Sequence, residues 1–217
     1  VHTTVAFGLV AGVLMTGVGV ALSPQILRWM DTPESVMRES VTYLQIYFAG
    51  SLGFVMYNVL VGILQAVGDS RHPLYYLIVS SVINLVLDLL FITGFHTGVG
   101  GAAVATVISQ IVSALLCFWQ LLRTKESYGL KIRKIRFDKG ILVQIIKIGL
   151  PSGVQNSIIA FANVIVQSNI NAFGEMAMAG YGAYTKVEGF GFLPINSFTM
   201  ALTTFVGQNL GAKQEER

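Results

Sequence analysis

Six nearly uncharged apolar stretches of about 20 residues or more constrain this sequence more than any other feature. They run approximately from Val5 to Leu27, Val41 to Leu64, Leu74 to Gly94, Val99 to Leu122, Ile145 to Asn171 and Ala177 to Val206, and are denoted spans A to F. About 20 apolar residues in a helix cross roughly 30 Å of hydrocarbon. The strands of a transmembrane barrel need only about 10 residues and alternate strictly, which these do not. A signal peptide would account for one N-terminal stretch at most. The breaks carry turn chemistry: Asp31-Thr32-Pro33-Glu34, Gly68-Asp69-Ser70-Arg71-His72-Pro73, Gly94-Phe95-His96-Thr97-Gly98 and Phe173-Gly174-Glu175. Thr32-Pro33-Glu34-Ser35 reads as the cap of a short helix leading into span B. The sequence therefore predicts an all-α integral membrane protein with six transmembrane helices.

Composition closes the alternatives. Charged residues make up 12% of the chain, against roughly 25% in a soluble domain. The 23 glycines have no period, and Cys117 stands alone inside an apolar run, which excludes collagen-like and disulfide scaffolds. Where the charges sit sets the orientation. Arg71, the seven cations between spans D and E, Lys213 and Arg217 lie on one side, against Arg28 and Arg38 on the other. The positive-inside rule then places the D/E loop and both chain ends in the cytoplasm of a multi-pass cell-membrane protein. Without a soluble domain to present it, Lys131-Ile132-Arg133-Lys134-Ile135-Arg136 reads as a loop touching anionic headgroups, not as a nucleic-acid patch. The chain starts at Val1, almost directly on a span, and stops at Arg217 just after another, so it is expected to be part of a longer protein.

Polar groups inside the spans point to function. A carboxylate in hydrocarbon costs at least ~2.5 kcal/mol on insertion scales and so usually faces a cavity or a partner. Asp88 in span C and Glu188 in span F are such groups. Asn84 precedes Asp88 by one helical turn and shares its face. Span D returns antiparallel after a short loop, which sets Thr106 at the depth of Asp88, roughly 10 Å below the surface. Carboxylate, amide and hydroxyl together form a ligand set for a hard cation, or a proton site. They could equally join helices through buried hydrogen bonds.

Span E carries Asn156, Asn163, Gln167 and Asn171 within an arc of about 80 degrees on a helical wheel. Span F does the same with Thr185, Glu188, Asn196, Thr199 and Thr203. Two such stripes suggest an internal cavity, with interhelical hydrogen bonding as the alternative. Lys186 snorkels or lines that cavity. Pro151 and Pro194 are expected to interrupt spans E and F. Gly8 with Gly12, and Gly149 with Gly153, fit small-residue helix packing. No catalytic residue is predicted: His2, His72 and His96 lie in loops or at the terminus, and neither HExxH nor GxSxG occurs. Trp29 and Trp119 lie near span ends, where indoles anchor at headgroup level.

Taken in order, Gly62-Ile-Leu-Gln-Ala-Val-Gly-Asp-Ser-Arg-His-Pro73, Asn84 to Asp88, Gly98-Val-Gly-Gly-Ala-Ala-Val-Ala-Thr-Val-Ile-Ser-Gln110, Gly149-Leu-Pro-Ser-Gly153 and Ala201-Leu-Thr-Thr-Phe-Val-Gly-Gln-Asn-Leu-Gly-Ala212 resemble the multidrug and toxic compound extrusion (MATE) family. The resemblance implies a twelve-helix, two-lobe transporter of which six helices are seen. Residues 1–122 would be the last four helices of the N-terminal lobe, 123–140 the basic linker between lobes, and 141–217 the first two helices of the C-terminal lobe. It implies a cation or proton site at Asp88, Asn84 and Thr106. Glu188, Asn156, Asn163, Gln167 and Asn196 become candidates for the substrate cavity or for coupling. The implied activity is efflux of organic, cationic amphiphiles in exchange for Na⁺ or H⁺, with no cofactor. The expected partners are the small organic substrate, the bilayer and the remaining helices of the same transporter; the oligomeric state is left open. Two alternatives compete: a lipid-linked oligosaccharide flippase of the same superfamily, and a membrane-embedded enzyme using an intramembrane carboxylate.

Overall fold

A computed structural model of the protein describes residues 1–29, 34–171 and 173–214. The predicted cap at Asp31, Thr32 and Pro33, the side chain of Asn171, and the tail at Glu215, Glu216 and Arg217 lie outside the described residues. The described chain is helical, without strands. It divides into two units, Val1–Leu142 and Val143–Arg217.

The first unit contains α1 (His2–Trp29), α2 (Glu34–Ala49), α3 (Ser51–Ala66), α4 (Arg71–Leu89) and α5 (Gly98–Arg123). Lipid tails are as apolar as leucine, so close packing rather than hydrophobic burial must hold such helices together. The sequence supplies this on α1, where Gly8, Gly12, Gly19 and Ser23 form a buried stripe. A Cβ added at Gly12 would stand 2.7 Å from Leu52 Cδ1 on α3, and one at Gly19 would stand 2.1 Å from Phe48 Cδ1 on α2. Pro24 does not stop α1.

Span B departs from expectation. Instead of a short helix leading into one continuous span, α2 and α3 meet at Gly50 with a bend of 44°. The reason is steric: a Cβ on Gly50 would lie 2.4 Å from Val107 Cγ2, so the bare backbone lets α5 approach at the break. Counting the bent pair as one crossing, six segments among the described residues are long and apolar enough to span a membrane.

α4 opens at the Gly68 turn (φ +86°), where Asp69 accepts the backbone N–H of His72 at 3.2 Å and its carboxylate contacts the imidazole at 2.7 Å. At its far end α4 widens into a π turn, Leu90–Gly94. Thr97 closes the hairpin, donating both its backbone N–H (3.0 Å) and its hydroxyl (2.7 Å) to the Phe91 carbonyl. Gly101 makes this possible, because its missing Cβ would sit against Thr97 Oγ1 and 2.9 Å from Phe91 Cβ.

The core of the unit gathers toward the other end, where Val5, Met56, Leu60, Leu64, Ala114, Cys117 and Leu121 pack with Leu130 from the linker. The linker is folded. Leu130 donates its N–H to the Leu121 carbonyl at 2.8 Å, and Ile132–Lys134 form a 3₁₀ turn. Thr3 on α1 donates to the Arg136 carbonyl (3.3 Å) and accepts the Asp138 N–H (3.2 Å). His2 Nε2 accepts the Lys131 N–H at 3.1 Å. Burying Leu130 contributes about 1.5–3 kcal/mol to holding this strap down.

The second unit holds most of α6 (Lys139–Asn171) together with α7 (Glu175–Gly211). Both run through their prolines, so the expected interruptions at Pro151 and Pro194 do not occur. Each proline removes one backbone hydrogen bond without ending the helix, as membrane helices tolerate. Hydroxyls nearby bond to the backbone: Ser152 to the Ile148 carbonyl at 3.1 Å, Ser197 to the Leu193 carbonyl at 2.8 Å.

Candidate functional site

The inner face of α4 positions the candidate residues. Ser80, Ile83, Asn84, Leu87 and Asp88 are buried or half-buried, whereas Val82, Leu85, Val86 and Leu89 are exposed. This is the periodicity of a helix with one face on protein and the other on lipid. The inner face packs on α5.

Two contacts fix the register of this antiparallel pair. Near the start of α4, the Tyr76 hydroxyl donates to Gln120 Oε1 at 3.3 Å. At the other end Phe91 lies against Gly101. Interpolating between them at about 1.5 Å per residue sets Asp88 within about one turn of the level of Thr106.

The electrostatics of the pair are unusual. Asp88 Oδ1 and Asn84 Nδ2 are both buried and have no hydrogen-bond partner among the described residues. Buried polar atoms nearly always have partners, and one left without costs about 1–3 kcal/mol, more if charged. An unpaired carboxylate oxygen and an unpaired amide one turn apart are polar groups that a bound ion or proton would satisfy. The amide can present Oδ1 in place of Nδ2 by rotating in place. Thr106 donates its hydroxyl to the Ala102 carbonyl at 3.0 Å, so what remains to it is acceptor lone pairs. The three groups can thus offer oxygen and a single negative charge. No cluster of three acidic, histidine or cysteine side chains occurs among the described residues.

The second unit does not gather its candidates in the same way. Asn156, Asn163 and Asn196 are exposed and Gln167 is half-buried. Among the described residues α6 and α7 do not pack along one another. The Thr185, Thr199 and Thr203 hydroxyls each donate to a carbonyl of their own helix, at 2.8–3.0 Å. An open groove of about 610 Å³ along α6 is lined by Leu150, Pro151, Val154, Gln155, Ile158 and Ile159, none of them a candidate. Glu188 accepts the Tyr184 hydroxyl at 2.8 Å. Its i, i+4 spacing from Tyr184 was the available signal for that bond.

One further buried polar atom, Thr16 Oγ1 on α1, is also without a partner among the described residues. A lone hydroxyl in an apolar helix gives no sequence signal, beyond its phase with Gly12 and Gly19.

Comparison with known proteins agrees with this architecture. The MatE family model matches residues 1–90 and 151–217. The probable multidrug resistance protein YpnP of Bacillus subtilis is 33% identical over 94% of this chain, and YoeA of the same organism, also described as a probable multidrug resistance protein, is 32% identical over all of it. The matches cover 47% and 48% of those proteins, so the chain spans about half the length of these relatives. A solved outward-facing multidrug resistance MATE transporter superposes with a TM-score of 0.88 at 28% identity, over 98% of this chain and 48% of that one. The helices, their order and these matches place the chain in the MATE family of multi-pass membrane transporters.

Proposed function

We propose that the chain forms part of a secondary-active efflux transporter that expels organic, cationic amphiphiles in exchange for Na⁺ or H⁺, with Asp88, Asn84 and Thr106 as the ion site. The observation that carries this is the pair of unsatisfied buried atoms, Asp88 Oδ1 and Asn84 Nδ2, on the face of α4 that packs on α5. One carboxylate with neutral oxygen ligands balances the charge of one monovalent cation or one proton. Occupancy changes the charge buried between two helices, which can bias inward- against outward-facing states, as coupling requires. The relatives described as multidrug resistance proteins favour drug efflux over oligosaccharide flipping.

In this reading residues 1–122 and 141–217 belong to different lobes, with the basic strap of 123–140 between them on the cytoplasmic side, as the Lys/Arg distribution favours. Glu188, Asn156, Asn163, Gln167 and Asn196 are the candidates for the substrate cavity or for coupling. The test is saturable binding of radioactive sodium to the purified chain and, without sodium, protonation of Asp88 followed by its carboxyl infrared band across a pH titration, in wild type and Asp88→Asn. Wild type is expected to show one or both, and Asp88→Asn neither; a variant that keeps the wild-type response would remove the site.

A further inference from the structure

We propose that the strap between α5 and α6 is a preformed binding platform for anionic phospholipid headgroups, built by Lys131, Arg133, Lys134 and Arg136 with Ile132 and Phe137 as apolar contacts. Four cations fall within six residues, none in a salt bridge among the described residues. Their side chains are exposed. The nearest following acid, Asp138, is engaged: Oδ1 accepts the Ile141 N–H at 3.0 Å at the start of α6.

The backbone carrying these cations is fixed. Leu130 is buried in the core and Ile135 packs against it. The His2 and Thr3 bonds described above tie both ends of the cationic run to α1. A site held in this way loses little backbone entropy on binding, unlike a flexible basic loop.

Position and apolar content select the ligand. The strap joins the ends of two spanning helices and lies against the start of a third, which places it at the level of the headgroups. Ile132 is 60% exposed and Phe137 49% exposed, although Ile135 between them turns inward. Outward apolar side chains alternating with cations suit the headgroup–acyl boundary, where a free phosphate or a nucleic-acid backbone would leave them in water.

The test titrates the purified chain in detergent with dioctanoyl phosphatidylglycerol, dioctanoyl phosphatidylcholine or glycerol phosphate, with native mass spectrometry as the readout. The anionic lipid is expected to bind at least about tenfold more tightly than the zwitterionic one at low salt, a preference that shrinks as salt rises. Removing one cation is expected to weaken it about fivefold. The K131Q/R133Q/K134Q/R136Q variant should lose the preference while its circular dichroism stays native. Should that variant misfold, K131Q/R133Q and K134Q/R136Q are expected to weaken binding separately, and Ile132→Ser with Phe137→Ser to weaken both lipids. Equal affinity for the two lipids, a preference that survives the charge variants, or glycerol phosphate binding as tightly as the lipid would overturn the proposal.

Discussion

Replacing Asp88 by leucine should make the protein more stable in ion-free, neutral buffer, although a buried polar residue is removed. Leucine branches at Cγ as aspartate does, so its two methyl groups take the places of the carboxylate oxygens with little change of shape. Asp88 Oδ1 has no hydrogen-bond partner among the described residues. Relieving one unsatisfied buried group recovers about 1–3 kcal/mol, more where the group is charged. Insertion scales point the same way, at about 2.5–3.5 kcal/mol for aspartate at a helix centre. For a chain of this size 1 kcal/mol corresponds to about 2–4 °C, so the melting temperature should rise by about 2–12 °C. The assay is thermal denaturation followed by circular dichroism in one detergent, with and without sodium. If Na⁺ is the ligand, sodium should stabilise the wild type and leave Asp88→Leu unmoved. A fall in melting temperature without sodium would mean that Asp88 is satisfied structural glue, and would refute the reasoning.

Other expectations rest on packing and on the strap. Gly12→Val drives a side chain into Leu52, with a Cβ contact of 2.7 Å, and should cost about 1–3 kcal/mol by chemical denaturation. Gly17→Ala on the same helix meets nothing within 4 Å and should stabilise by about 0.5–1 kcal/mol in the same assay. Thr3→Val breaks the two bonds from Thr3 to the strap and leaves the His2 bond, so hydrogen exchange over residues 136–138 should quicken by about tenfold or more, while exchange in α5 stays unchanged. Unchanged exchange over 136–138 would show that Leu130, Ile135 and the His2 bond hold the strap without Thr3.

The spans were legible because crossing a bilayer as a helix demands length and apolarity, and both are properties of composition. The inward face of α4 was legible for a related reason: Asn84 and Asp88, one turn apart, share a face in any helix. What was not legible depends on a neighbour. Gly50 looks like any other glycine in an apolar run until Val107 arrives beside it and α2 bends into α3. Pro151 and Pro194 looked like breaks, but the cost of a lost hydrogen bond did not exceed the helix's need to satisfy its backbone in an apolar solvent. The π turn after Leu89 depends on Thr97 reaching back to Phe91, a contact made by the hairpin and not by local propensity. The strap read as a charged loop, and its order comes from His2 and Thr3, more than 120 residues away in sequence.

The most direct test of the central claim is energised efflux of a fluorescent organic cation from vesicles carrying the complete transporter, wild type against Asp88→Asn, with sodium and pH gradients imposed separately. The account predicts that one of the gradients drives efflux in the wild type and that Asp88→Asn, folded and inserted at the wild-type level, loses this response. Gradient-driven efflux that survives Asp88→Asn undiminished would contradict it, and would return Asn84, Asp88 and Thr106 to a purely structural role.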